Sequence, residues 1–229
     1  MHNLVTRRRP RGRGPQAPPV ELISTQKHRK SVFARAVSPG AARRIDFLTK
    51  KNKKNTQKIK KTSNLNLVKY ESIDQIGVAR TLGELPFIDK KRIGIWGWSF
   101  GGHMAAHCLL TGGGVFSFAI AVAPVTNWRF YDTIYTERFM RTPQENPEGY
   151  DLNSPLNYAD QLKGDFLIIH GSGDDNVHVQ NTMRMVDALI QADKQFDWMI
   201  YPDKNHSISG GNTQKHLYTK MTNFIFKNL

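Results

Sequence analysis

Polar side chains at three separated places in this chain have the types and the order that nucleophilic acyl transfer requires. Gly97-Trp98-Ser99-Phe100-Gly101 has the form G-x-S-x-G. A serine hydroxyl is a weak nucleophile by itself. It becomes competent when a base takes its proton and a third group orients that base. The pattern has a mechanical meaning too. A serine on a sharp turn between a strand and a helix presents its hydroxyl at the sheet edge, and the flanking glycines let backbone pass close by. The N–H of Phe100 would then face the developing oxyanion, helped by the positive end of the following helix. The carboxylate and the base follow in chain order. The stretch GSGDDNV (171–177) offers Asp174 and Asp175, and PDKNHS (202–207) offers His206. Each stretch follows a short apolar run, so each is expected at the carboxyl end of a strand, where open α/β sheets bind ligands.

The remaining histidines carry plainer readings. His103 and His107 are four residues apart on the helix expected after Ser99, a spacing that suits a metal pair. No third ligand accompanies them and there is no H-E-x-x-H, so neither a metal nor another cofactor is expected. His170 ends an apolar run and reads as a buried, hydrogen-bonded ring. His178 reads as a helix-entry residue or a pocket wall, and His2, His28 and His216 as incidental. The segment Val122–Met140 is dense in aromatics, with Trp128, Phe130, Tyr131, Tyr135 and Phe139. They can pack a core and at the same time wall an apolar pocket beside Ser99.

The elements that must position these groups follow from periodicity. Ile73, Ile76, Ala79, Leu82 and Leu85 recur at steps of three and predict a helix that Pro86 stops. The runs at 91–96, 115–122, 165–170 and 196–201 predict buried strands. Helices are expected at 100–110, at 177–192 with Met183, Val186, Leu189 and Ile190 on one face, and at 213–226. Apolar strands alternating with helices predict an α/β fold, a mostly parallel sheet covered on both faces by helices.

Composition divides the chain. Of its 229 residues, 39% are apolar and 23% charged, which suits a globular protein better than a disordered or fibrous one. The net charge of +14 is not spread evenly. Residues 1–68 hold 18 Lys and Arg against 2 Asp and Glu, a net of +16, whereas residues 69–229 hold 15 against 17, a net of −2. Residues 1–68 are therefore expected to be a poorly structured basic segment, and 69–229 the folded domain. Runs such as RRRPRGRGPQAPP and KKNKKNTQKIKK have too little apolar content to offset the entropy of ordering. Two apolar patches, 20–23 and 31–37, could form short strands. A single cysteine, Cys108, excludes an internal disulfide framework. No run of 18 apolar residues is present, and the first 30 residues lack an apolar leader core, so neither a membrane span nor a secretory signal is expected.

Taken together, GIWGWSFGG, AVAPVTNW, YDTIYTERFM, IIHGSGDDNVH and DKNHSI closely resemble the dipeptidyl peptidase IV branch of the prolyl oligopeptidase family, from about Lys69 to the end. The resemblance implies an α/β-hydrolase fold and a serine peptidase that releases N-terminal dipeptides after a penultimate proline or alanine. It implies Ser99 as nucleophile, His206 as base and, through the motif D-x-x-V, Asp174 rather than Asp175 as the orienting carboxylate. It also implies a proline pocket of Val125, Trp128, Tyr131, Tyr135 and Val177, with Asn176 reaching the substrate carbonyl. Peptides are the implied partners, together with a second copy of the chain. Members of this branch are membrane-anchored, periplasmic or cytosolic, so no single compartment is implied.

The departures from the family carry expectations of their own. Full-length relatives have a β-propeller with two glutamates for the substrate amine and a tyrosine hydroxyl as second oxyanion donor, and residues 1–68 match neither. Losing one such donor costs about 10²–10³ in rate. The hydrolase sheet is therefore expected to be incomplete on its N-terminal side, with one edge unpaired. Residues 1–68 read as the product of a wrong start site or reading frame. Two alternatives follow: an inactive truncated fragment of such a peptidase, or a basic protein that holds nucleic acid through residues 1–68 without reading its sequence. Specific nucleic-acid binding is not expected, because no reader module is present.

Overall fold

The computed structural model describes residues 64–229 and the backbone of residues 30–35. Among the described residues five strands form one sheet in the order β1-β2-β3-β4-β5, and every neighbouring pair is parallel. They are β1 (Lys30–Arg35), β2 (Ile88–Trp98), β3 (Phe118–Val122), β4 (Asp165–Gly171) and β5 (Asp197–Tyr201). The helices are α1 (Lys69–Gly83), α2 (Phe100–Thr111), α3 (Thr133–Met140), α4 (Pro147–Leu152), α5 (Gln180–Gln191) and α6 (Thr213–Asn228), with two 3₁₀ turns at Trp128–Phe130 and Pro155–Gln161.

Period-two alternation sorts the strand side chains into two cores. Phe118, Ile120 and Val122 of β3, with Leu167 and Ile169 of β4, face α6 and its Leu217, Met221 and Phe224. Ala119 and Ala121, with Phe166 and Ile168, face the other way, onto the buried residues of α1, α2 and α5. Burying each large side chain of these cores contributes about 1.5–3 kcal/mol. Because every strand runs the same way, the loops after β2, β3, β4 and β5 all emerge at one sheet edge.

Two expectations need correction. The stripe assigned to the first helix drifts, because a step of three falls behind the 3.6-residue turn. Ser72, Ile76 and Ala79 are the buried positions of α1, while Ile73 is 57% exposed and Leu85 lies beyond the helix end. The α5 stripe shifts likewise: Met185, Val186 and Leu189 are buried, and Met183 and Ile190 are exposed. Among the described residues the sheet begins at β1, beside β2. Strand β1, drawn from the apolar patch at 31–37, pairs along it from Lys30 opposite Ile88 to Arg35 opposite Trp96. The patch at 20–23 lies outside the described residues.

Candidate active site

Strand β2 ends at Trp98 and α2 begins at Phe100, so Ser99 is the entire connection. Its φ of +59° and ψ of −121° lie where side chains other than glycine are strained. The surroundings hold it there: Ser99 N donates to the Val122 carbonyl at 2.8 Å, and His103 N donates to the Ser99 carbonyl at 3.0 Å. Glycine at 97 is a packing requirement, because a Cβ on Gly97 would overlap the Gly101 carbonyl. The Ser99 side chain makes no capping bond to α2. Phe100 N–H belongs to the first turn of that helix, where backbone donors have no intrahelical acceptor.

The acid and base loops leave the adjacent strands β4 and β5. His206 Nδ1 donates to Asp174 Oδ2 at 2.7 Å. The other carboxylate oxygen, Oδ1, accepts from the N–H groups of Asn176 at 3.0 Å and Val177 at 2.9 Å. Asp174 is buried, and Asp175 beside it is exposed. Burial by itself would raise the Asp174 pKa. The hydrogen bonds from His170 and His206, the nearby His206 ring and the Asn176 N–H outweigh it and hold the carboxyl well below its ordinary range. The two loops are tied together: Gly173 N donates to the Lys204 carbonyl at 3.1 Å, and Asp203 N to the Ser172 hydroxyl at 2.8 Å. Gly171 permits that approach, because a Cβ there would overlap the Lys204 carbonyl. The indole of Trp98 reaches across from β2 and donates to the His206 carbonyl at 2.9 Å. This latch between the nucleophile turn and the base loop was not anticipated from the sequence. Its signal there is the variable position of the G-x-S-x-G pattern, which no spacing rule interprets.

The aromatics after β3 form a connected wall. The Trp128 ring lies 5.6 Å from Phe100, 6.1 Å from Tyr131 and 5.9 Å from Tyr135, and Tyr131 is 5.4 Å from Tyr135. Edge-to-face and stacked arrangements at these separations suit ring quadrupoles. Trp128, Val125 and Val177 are buried, Tyr131 and Tyr135 are half-buried, and Asn176 is exposed. The Tyr131 hydroxyl donates to Asn176 Oδ1 at 2.8 Å, which joins the wall to the acid loop. Burial, then the neighbouring Tyr131, Glu71 and Asp132, push the Tyr135 hydroxyl up to about 12. Burial, then Asp132 and Asp174, raise Tyr131. Both phenols therefore stay neutral. Thr126 holds the loop in place: its N–H donates to Asn181 Oδ1 at 2.9 Å, its hydroxyl to the Asn181 carbonyl at 2.7 Å, and its carbonyl accepts from the Ser154 hydroxyl at 2.8 Å.

His103 and His107 lie in the core beneath this wall. His103 stacks on Trp128 at 5.1 Å, and its Nε2 donates to the Asn153 carbonyl at 2.8 Å. His107 Nδ1 is 2.9 Å from the Ser72 hydroxyl. Burial, with His107 adding to it, pushes His103 down to about 3, and burial pushes His107 down to about 4. His170 is buried behind Asp174 and His178 is exposed. Among the described residues, no three His, Cys, Asp or Glu side chains group as metal ligands would, and no helix is long and apolar enough to cross a membrane.

A parallel sheet with a strained serine turn, a histidine–carboxylate pair and an aromatic wall along one edge defines the α/β-hydrolase class. The chain belongs to the prolyl oligopeptidase family, whose model matches residues 52–229. It is 49% identical over 164 residues to a "probable dipeptidyl-aminopeptidase B" of Coccidioides posadasii, covering 70% of this chain and 18% of that protein. It is 46% identical over 159 residues to the prolyl endopeptidase FAP of Mus musculus, covering 68% and 21%. The crystal structure of Porphyromonas gingivalis dipeptidyl peptidase 4 matches with a TM-score of 0.73 and 56% identity, over 73% of this chain and 24% of that one. The chain thus spans about a fifth of the length of the curated relatives it matches. The family match begins upstream of the compositional break at residue 69.

Proposed function

We propose that this chain carries the catalytic machinery of a serine peptidase that releases dipeptides from peptide N-termini after a penultimate proline or alanine. The observation that carries the reading is the 2.7 Å hydrogen bond from His206 Nδ1 to the buried Asp174, which leaves Nε2 of the same ring for the serine. In this mechanism Nε2 takes the Ser99 proton as Oγ attacks the carbonyl of the bond to be cut. Asp174 holds the imidazole tautomer and stabilises the imidazolium without itself being protonated. The Phe100 N–H donates to the tetrahedral oxyanion. His206 then protonates the leaving amine, and water releases the dipeptide from the acyl-enzyme. A proline ring is flat and apolar, and Val125, Trp128, Tyr131, Tyr135 and Val177 offer it rigid walls that lose little side-chain freedom on binding. Asn176, held by Tyr131, presents its amide beside that pocket. Residues 1–68 are read as a basic segment that precedes the domain at 69–229 and lends β1 to its sheet, with no specific nucleic-acid partner, and a second copy of the chain as a partner.

The experiment is reaction of the purified chain with a fluorophosphonate probe, beside hydrolysis of a chromogenic Xaa-Pro substrate. The expected result is labelling that Ser99→Ala and His206→Ala abolish, with preference for proline over a bulky residue before the cleaved bond. A folded chain that does not label overturns the reading. A salt titration of DNA binding and a sedimentation measurement test the two partner statements.

A further inference from the structure

The carboxylate that orients His206 is itself held from behind by a second histidine. His170 stands at the end of β4 with none of its side chain exposed, four residues before Asp174. Its Nε2 is 2.7 Å from the Val177 carbonyl and 3.2 Å from Asp174 Oδ2, the same oxygen that accepts from His206. A carbonyl can only accept, so Nε2 carries the proton. Nδ1 of the same ring is 2.7 Å from the Thr182 hydroxyl on α5, which must then donate to it. Thr182 is also fully buried. A chain of donors therefore runs from Thr182 through His170 to Asp174, where it meets His206 coming from the other side. The remaining groups that face the carboxylate are the N–H groups of Asn176 and Val177, with Tyr131 lying within its field.

We propose that His170, with its tautomer fixed by the Val177 carbonyl and its Nδ1 satisfied by Thr182, is a positioning residue that fixes Asp174 Oδ2 for His206 and holds Val177 against the aromatic wall. The proposal rests on reading Ser99, Asp174 and His206 as the reacting triad. A buried ring with no such role would need only to fill its space. Instead, Nδ1 meets the Thr182 hydroxyl while Nε2 faces two acceptors that require its proton, the atoms that locate the acid and one pocket wall. Taking away a donor from a carboxylate leaves more charge for its other partner, so His206 should bind its proton more tightly.

The test uses the full chain and Thr182→Val, which keeps the volume and removes the hydroxyl, beside His170→Leu. Thr182→Ser and His170→Gln restore a donor in each case. The first readout is the titration midpoint of His206 by ring-proton NMR, which does not require turnover. The second is the rate of fluorophosphonate labelling against pH. Expected is a midpoint raised by about half a pH unit in Thr182→Val and His170→Leu, an acid limb of labelling that moves with it, and a labelling rate lower by roughly tenfold. Thr182→Ser and His170→Gln recover most of both. A midpoint unmoved in folded Thr182→Val overturns the proposal, with or without slower labelling, because slower labelling by itself is what loosened packing would give. A wild-type chain that does not label overturns the triad reading instead, while the His206 titration still decides whether His170 reaches it.

Discussion

Two corners of one sheet edge hold their reactive groups by opposite means. At the nucleophile turn the geometry comes from what is missing. Ser99 sits at a φ of +59° where the bare Gly97 lets two backbone segments nearly touch. At the acid corner the geometry comes from saturation: Asp174 accepts from two backbone N–H groups and from His206, with His170 on the oxygen that His206 uses. A steric corner fails by not folding, since there is no intermediate arrangement between contact and overlap. A polar corner fails by degrees, one hydrogen bond at a time. The base loop depends on both, through Trp98 on one side and Asp174 on the other.

The largest effect is expected at the serine itself. Ser99→Ala should remove fluorophosphonate labelling altogether, with peptidase turnover falling on the order of 10⁶-fold. Asp174→Asn keeps the shape of the polar corner and should lower labelling on the order of 10⁴-fold by favouring the wrong His206 tautomer. Asp175→Asn, changing an exposed neighbour, should label at close to the wild-type rate. Equal losses from the two would remove the distinction drawn between these carboxylates. Gly97→Ala should behave unlike either, lowering the thermal midpoint together with labelling, because its Cβ meets backbone that cannot move aside. A variant that keeps its melting temperature while losing labelling would show the turn to be less sterically fixed than described.

A smaller effect sharpens the contrast from beneath. His103 and His107 are buried with pKa values pushed down to about 3 and about 4. In the unfolded chain each returns to an ordinary value near 6.5. Above that pH both rings are neutral in both states and contribute no pH dependence. Below it the unfolded chain binds protons that the folded chain refuses, so stability falls as pH falls, by on the order of 1 kcal/mol per pH unit for each ring down to about pH 4. Denaturant titrations at pH 7, 6 and 5 measure that slope, and His107→Asn should flatten it. The smallest expected effect is Tyr131→Phe. It removes one half-exposed hydrogen bond to Asn176, worth about 1 kcal/mol. It should raise KM for an Xaa-Pro substrate a few-fold with kcat nearly unchanged.

Local constraints are legible in the residues alone. G-x-S-x-G requires a turn whose neighbours lack side chains. Short apolar runs followed by polar loops require buried parallel strands with loops at one edge, and the chain order of Ser99, Asp174 and His206 follows from which strand each loop leaves. The sequence left open which of Asp174 and Asp175 turns inward until the motif D-x-x-V was compared with a family, because neighbouring carboxylates have the same chemistry and differ only in direction. Tertiary structure decides that direction, since the Asn176 and Val177 N–H groups converge on Asp174 alone. It also decides which face each helix buries. Period counting placed Ile73 and Ile190 inward, while the packed helices bury Ser72 and Met185. The Trp98 latch, the Thr182–His170 pair and the strand at Lys30–Arg35 along β2 likewise join residues far apart in the chain. Contacts of that kind leave no periodic trace. They exist only once the sheet has brought its strand ends together, which sets the turn at Ser99 on the same edge as the Asp174–His206 pair.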